Sequence, residues 1–266
     1  MGPIDLLHTA IPSPAVFQFG GFGLRWYGLL FSSGAIIGYF FARREWRERG
    51  WQLLELEQLV ALLIFGGLLG ARLFDVFVFE WWYFKDHLGE ILSVWRGGLA
   101  FHGGLLAATG VLIWWCKKNK RSWLMVADTL APALALAQAI GRWGNYANQE
   151  LFGLPTQLPW GIPIAVNYRP ILYISATHFH PVFIYESLAL IIIAVLLVIL
   201  RKRFSGAGHR FAAYLILTGV VRFALEFLRI DEQVELWGIR VGSVVAIVAV
   251  AVGVWLWIKS RKLISK

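Results

Sequence analysis

Seven runs of mostly apolar residues, at roughly 26–42, 58–79, 98–116, 123–141, 182–200, 211–229 and 236–258, account for most of this 266-residue chain. A hydrocarbon core about 30 Å thick takes roughly 20 apolar residues of α-helix to cross, and each run is close to that length. No other feature constrains the fold as tightly. Lipid cannot satisfy backbone hydrogen bonds, so only helices and closed barrels span it. Hydrophobic residues make up 58% of the chain and charged residues 15%, against roughly 45–50% and 25% in soluble domains. That excess has to face lipid. The expected fold is all-α, a polytopic membrane protein of seven transmembrane helices forming one integral domain over residues 1–266.

The basic residues set the orientation. Arg43, Arg44, Arg47 and Arg49 follow the first run, and Lys117, Lys118, Lys120 and Arg121 the third. Arg201, Lys202, Arg203 and Arg210 follow the fifth, and Lys259, Arg261, Lys262 and Lys266 the seventh. Sixteen of the 25 cations thus lie on alternate connections, while the opposite ones hold little more than Lys85, Arg96, Arg142, Arg169 and Arg229, the last beside Asp231 and Glu232. By the positive-inside rule the N-terminus lies outside and the C-terminus in the cytoplasm. Most of the net charge of +9 is therefore a topology signal, matched by an anionic inner leaflet. Nucleic-acid binding would need interleaved aromatic platforms, which are missing.

Residues 1–14 carry Asp5 and no basic group, so they read as an outside tail and not as a signal peptide. Phe79, Trp81, Trp82, Tyr83 and Phe84 form an aromatic cluster at the outer boundary. The pairs Gly34/Gly38 and Gly66/Gly70 have the spacing that lets helices approach closely. Residues 142–181, punctuated by Pro155, Pro159, Pro163, Pro170 and Pro181, are too polar and broken for lipid and read as an extracytoplasmic (periplasmic) arm or head. Cys116, the single cysteine, excludes an internal disulfide and a cysteine-based metal site. His102, His178, His180 and His209 have no ligand spacing, so neither metal nor cofactor is expected.

An ionisable residue inside a span is costly and marks a functional hypothesis. Arg222, Glu226 and Arg229 fall on one face of the sixth run by their spacing. An ion-paired face pinning neighbouring helices would explain them, but two arginines against one glutamate leave a surplus cation, which suits an anionic ligand. The end of the fourth run, Gly141-Arg142-Trp143-Gly144-Asn145-Tyr146-Ala147-Asn148-Gln149-Glu150, packs an arginine, amides and a carboxylate into ten residues. A helix end meeting water is the plain alternative. His102 sits among glycines at the start of the third run, where a hydrogen-bonded structural histidine is the commoner reading. Tyr27, Tyr185 and Glu186 fall near the same outer level. Arg72 and Asp75 in the second run are explained by a local ion pair.

These segments carry a resemblance. His102-Gly103-Gly104-Leu105, the run GRWGNYANQELFG from Gly141 to Gly153, HPVFIYES at 180–187 and the sixth run with Arg222, Glu226 and Arg229 resemble the bacterial prolipoprotein diacylglyceryl transferase family. Arg25-Trp26-Tyr27-Gly28 and Gly70-Ala71-Arg72 match as well, in order along nearly the whole chain. The resemblance implies an inner-membrane enzyme of lipoprotein maturation. It would move the diacylglyceryl group of phosphatidylglycerol onto the lipobox cysteine thiol of a preprolipoprotein signal peptide, releasing glycerol phosphate.

The chemistry suits the residues. A free thiol has a pKa of about 8.5 and reacts as the thiolate, so a base is needed. The resemblance points to His102, while a carboxylate such as Glu226 or the departing phosphate stays open for that role. Arginines stabilise the growing negative charge of a phosphate leaving group best, and the matched motifs put Arg142 and Arg222 there. Tyr27, Asn145, Asn148 and Glu150 would orient the head group, with Glu226 and Arg229 fixing Arg222. The sequence departs from the family pattern at Thr218, Val182, Phe183 and Ser243, so no role is carried over at those positions. A non-catalytic protein that binds or transports anionic phospholipid is the rival reading. Transporters show broken helices or repeats at the midplane, whereas these polar groups gather near one face.

Overall fold

The computed structural model describes residues 7–19, 22–94, 97–204, 206–231, 235, 236 and 238–264. Asp5, Arg96, Glu232 and Lys266 lie outside the described residues. A β-hairpin, β1 (Ala15–Phe19) and β2 (Phe22–Arg25), leads directly into α1 (Trp26–Glu48). Then come α2 (Leu53–Phe74), α3 (Phe101–Lys118) and α4 (Trp123–Ala147). After an irregular stretch holding the two-residue pair β3 (Ile162–Pro163) and β4 (His178–Phe179), α5 (Val182–Ile199) and α6 (His209–Glu226) follow. A last short pair, β5 (Glu235–Leu236) and β6 (Ile239–Arg240), precedes α7 (Val241–Ile264).

These seven long helices coincide with the seven apolar runs. Four segments are long and apolar enough to cross a membrane: Leu53–Phe79, Trp123–Ala147, Val182–Arg203 and Val241–Ser260. The other three long helices are diluted by charge or glycine, through Arg43, Arg44 and Arg47 in α1, Gly103, Gly104 and the terminal lysines in α3, and Arg210, Arg222 and Glu226 in α6. Large apolar residues such as Phe65, Leu68, Ile192 and Ile247 stand exposed along the helices. Apolar faces of that extent are not left to water, and the protein is a membrane protein.

The chain divides into two compact units, Met1–Ala42 with Ala127–Lys266, and Arg43–Val126. In the second, α2 and α3 run antiparallel with their backbones nearly touching. A Cβ on Gly66 would run into Val111, and one on Gly70 into Ala107 and the Gly103 carbonyl. Glycine at these positions therefore serves close packing, as its spacing suggests. Arg72 is buried and donates to the carbonyls of Glu90, Ile91, Gly97 and Gly98 over 2.7–3.1 Å, with Asp75 at 3.4 Å. Its guanidinium lies over the Phe84 ring. This one side chain pins the loop between α2 and α3, which accounts for the Arg72–Asp75 pair without any ligand.

In the first unit, Gly34 and Gly38 of α1 pack against Ala137 and Ala133 of α4. Gly219 and Gly253 do the same for α6 and α7, against Ala246, Val250, Ala212 and Ile216. Ser187 of α5 donates to the Ala139 carbonyl of α4 at 2.8 Å. The start of α6 is held by Asp128 of α4, whose carboxylate accepts from the Gly208 and Phe211 amides at 2.6 and 2.8 Å. Those are amides that the first turn of a helix leaves without partners.

Helix α4 continues to Ala147, beyond the boundary at 141 expected from hydropathy, and no proline occurs between Pro132 within it and Pro155. It ends where Gln149 and Leu151 take left-handed φ values of 56° and 58°, which non-glycine residues adopt only under external support. Buried Gln149 supplies that support. Its side chain accepts from the Ala165 amide at 2.7 Å and donates to the Pro12 carbonyl at 3.3 Å. Residues 148–181 fold over a core shared with the start of α5, in which Leu151, Phe152, Ile162, Ile164, Phe179, Val182 and Phe183 are buried. Gly153 bridges to Arg229, and the Leu154 amide donates to the Leu228 carbonyl at 2.9 Å. The irregular segment is thus tied to the end of α6.

Overpacking a close helix contact costs on the order of 1–3 kcal/mol. Gly70→Val should accordingly lower the thermal stability of the detergent-solubilised protein. Gly110→Ala, where a Cβ meets nothing within 4 Å, should leave it unchanged or raise it slightly, as differential scanning fluorimetry would record.

Candidate active site

Glu186, on the first turns of α5, is the hinge of a buried ionic chain. One carboxylate oxygen takes Arg142 Nη2 of α4 at 2.7 Å, and the other takes Arg222 Nη1 of α6 at 3.3 Å. Two cations from two helices thus share one anion from a third. Arg222 reaches on through Nε to Glu226 Oε2 at 3.7 Å, and Arg229 Nη1 approaches the same oxygen at 3.7 Å. Arg229 is anchored by two bonds to Asp231, at 2.9 and 2.7 Å. Asp231 Oδ2 also accepts from the Leu151 amide at 3.1 Å. Arg240, from β6, donates to the carbonyls of Glu226 and Arg229 at 3.1 and 2.8 Å and lies 3.7 Å from Glu226 Oε1.

The chain extends the other way through amides. Arg142 Nη1 donates to Asn145 at 3.4 Å, and Asn145 donates to Glu150 at 3.0 Å. Asn148 donates to the second oxygen of Glu150 at 3.3 Å. The end of α4 brings these groups together because its last turn closes at Gln149 and turns Glu150 back over Asn145. Gly144 is required for close approach, since a Cβ there would strike the Tyr27 ring, whereas Gly141 faces open space.

Among the described residues, Arg142, Asn145, Asn148, Glu150, Arg222, Glu226 and Arg229 therefore form one connected set. Tyr27 borders it through Gly144. His102 does not belong to it: it lies in the other unit, exposed on the first turn of α3 beside the Phe101 ring. The surplus of one cation expected on α6 persists when Arg142, Arg240, Glu186 and Asp231 enter the set. Four arginines then face three carboxylates, with Glu150 held by amides at the edge. Asp231 and Arg240 lie past the end of α6, where helical spacing carries no information. Glu186 was visible as a polar residue at the right level, but its role as the shared counterion was not.

Of the positions that depart from the family pattern, Val182 and Phe183 are core residues, with Phe183 stacked on Tyr146. Thr218 bonds back to the Tyr214 carbonyl at 2.7 Å. Neither the Val182–Phe183 pair nor Thr218 enters the ionic chain. No group of three or more histidine, cysteine or acidic side chains suited to a metal ion occurs among the described residues.

The prolipoprotein diacylglyceryl transferase profile matches residues 14–259. The chain belongs to that family. A phosphatidylglycerol–prolipoprotein diacylglyceryl transferase of Synechococcus elongatus is 38% identical over 264 residues, 96% of this chain and 91% of its own. The protein of the same name from Nostoc sp. is 34% identical, covering 98% and 95% of the two chains. That from Thermotoga maritima is 39% identical, covering 82% and 74%. The matched span includes every position of the ionic chain, from Arg142 to Arg240.

Removing one member of a buried ion pair strands its partner at a cost of about 3–5 kcal/mol. Glu186→Ala strands two arginines at once. It should lower the melting temperature in detergent far more than Glu150→Ala, whose carboxylate is exposed. Equal melting temperatures for the two variants would mean that Glu186 does not hold the arginines.

Proposed function

We propose that this protein transfers the diacylglyceryl group of phosphatidylglycerol to the lipobox cysteine thiol of preprolipoproteins. The observation that carries this reading is the pairing of Arg142 with Arg222 on Glu186, in a family whose named members act on that phospholipid. A guanidinium pair held in a water-poor site and already oriented costs little reorganisation when charge develops before it. Each arginine keeps further N–H donors in a planar fork that suits phosphate oxygens.

In the reaction, the substrate thiol loses its proton and its sulfur attacks the glyceryl carbon that carries the phosphate. The carbon–oxygen bond breaks as the carbon–sulfur bond forms. The electron pair leaves with glycerol phosphate, and the product is a thioether. Arg142 and Arg222 bind the phosphate and stabilise its growing charge. The thiol proton goes to a base, for which His102, a carboxylate such as Glu226 and the departing phosphate are the candidates. Tyr27, Asn145, Asn148 and Glu150 orient the head group, and Glu226 with Arg229 keeps Arg222 in place. The enzyme lies in the bacterial cytoplasmic (inner) membrane, with seven spans, the N-terminus outside, the C-terminus inside and residues 148–181 in an extracytoplasmic arm. Its partners are the bilayer, phosphatidylglycerol and the signal peptide of the preprolipoprotein. Cys116 is buried at the far end of α3, so the reacting sulfur is the substrate's.

The test is purified protein with phosphatidylglycerol and a lipobox peptide, followed by mass spectrometry. A diacylglyceryl mass gained on the peptide cysteine is expected. No gain, with phospholipid bound nonetheless, would favour a lipid-binding protein. Arg142→Ala and Arg222→Ala should each lower transfer by at least about a hundredfold, the scale of losing one electrostatic stabiliser. Cys116→Ala should transfer at the wild-type rate. His102→Gln should lose the rate that general-base catalysis supplies, roughly a hundredfold or more; an unaffected variant would leave the proton to a carboxylate or the leaving phosphate.

A further inference from the structure

The arm that joins α4 to α5 carries almost no charge. From Leu151 to Tyr185 the only Asp, Glu, Lys or Arg is Arg169, and its guanidinium is committed to backbone carbonyls. Nε donates to Ile164 at 2.8 Å and Nη1 to Ile174 at 3.0 Å. One side chain thus closes the base of a loop in which two short helical turns, Val166–Tyr168 and Ile171–Tyr173, flank Pro170. The root of the loop is packed: Ile162 and Ile164 are buried, and Tyr173 and Ala176 lie against the same core. Its tip is apolar as well. Ile171 is 92% exposed and Leu172 82%, with Val166, Tyr168 and Ile174 exposed around them.

Turns that face water are built mainly from Gly, Asn, Asp and Ser, and a contiguous exposed apolar patch marks a contact with something else. A tip whose backbone is already fixed, as Arg169 fixes this one, loses little freedom when it docks. The surface within its reach is the bilayer. The arm leaves α4 at Ala147 and enters α5 at Val182, and both helices belong to segments long and apolar enough to cross a membrane. Gly153 and Leu154 tie the arm to the end of α6. Tyr168 and Trp160, both exposed, are of the amphipathic type that collects at membrane–water interfaces. The near absence of charge suits hydrocarbon, which charged groups enter only at high cost. Insertion of this kind strengthens with the apolar area it buries.

We propose that Ile171 and Leu172 insert into the outer leaflet at the boundary between head groups and acyl chains, so that the arm between α4 and α5 is anchored on the bilayer at its tip. The contact depends on apolar depth and not on head-group identity, and it is separate from the transfer reaction. Its consequence for the site is positional. Glu150 and Leu151, at the root of the arm, are bonded to Asn145 and Asp231, so an anchored tip steadies the end of the ionic chain at the level of the lipid.

The experiment uses the full-length protein in vesicles of phosphatidylcholine and phosphatidylglycerol. Cys116→Ala removes the single cysteine, and Ile171→Cys or Leu172→Cys then takes one nitroxide label. Both side chains are exposed, so labelling leaves the core intact, as an unchanged melting temperature checks. Power-saturation EPR compares collisions with oxygen, which concentrates in lipid, against a water-soluble nickel chelate. Phe65→Cys, on the exposed apolar face of α2, is the lipid reference, and Lys202→Cys, exposed in the basic connection after α5, is the aqueous one. Labels at 171 and 172 should both shift from the Lys202 value towards the Phe65 value, with oxygen collisions dominant. Nickel-dominated collisions at either position would overturn the proposal. So would protection from both reagents, which would mean that protein covers the tip; spin–spin broadening lost on dilution with unlabelled protein would identify that cover as a second copy. Transfer to a lipobox peptide is read separately, so its absence bears on the transferase reading and not on the anchor.

Discussion

The carboxylate of Glu186 stands between two guanidiniums, and most of the site's organisation follows from that contact. Arg142 and Arg222 repel one another, and neither can be left unpaired in a membrane-embedded bundle. One anion between them solves both problems, because each carboxylate oxygen serves one arginine. The pairing brings the C-terminal ends of α4 and α6 and the N-terminal end of α5 to one point. It also sets the spacing of two forks of N–H donors, which is the property a phosphate would read. A salt bridge of this kind is weak evidence for stability, since hydrophobic replacement is often neutral or better. Its value here is placement.

The rest of the first unit keeps that point in register. Asp128 fixes where α6 begins, at His209 and thirteen residues before Arg222. Gln149 holds the left-handed turn that brings Glu150 back over Asn145. Asp231 ties Arg229 to the Leu151 amide, so the irregular segment after α4 and the end of α6 are bonded to one another. The polar chain is thus continuous from Asn148 to Arg240, with each link made by a side chain whose backbone is anchored independently.

Much of this was legible in the sequence, and the limits have a physical reason. The long helices could be read from the apolar runs, and four of the segments are long and apolar enough to cross a membrane. Helical spacing by itself puts Arg222, Glu226 and Arg229 on one face. Gly66 and Gly70 were readable as packing residues, though their partners on α3 were not. Glu186 shows where the reading stops. Its level in the membrane was evident, but which cations it serves depends on how α5 is rotated against α4 and α6, and a single sequence does not encode that visibly. Asp231 and Arg240 were hidden for a related reason. They lie beyond a helix end, where the path of the chain follows tertiary contacts and not periodicity. Gln149 was hidden because a left-handed glutamine has no local signature; distant backbone groups stabilise it.

The most direct test is the distance between the phosphorus of bound phosphatidylglycerol and the arginine nitrogens. Rotational-echo double-resonance NMR can measure it, on 15N-arginine-labelled protein in phosphatidylglycerol bilayers. N–H···O bonds of about 2.8 Å to a phosphate imply 31P–15N separations of about 4 Å, with a dephasing component that disappears in both Arg142→Gln and Arg222→Gln. Short-range dephasing unchanged in those two variants would place the phosphate elsewhere and contradict the paired clamp.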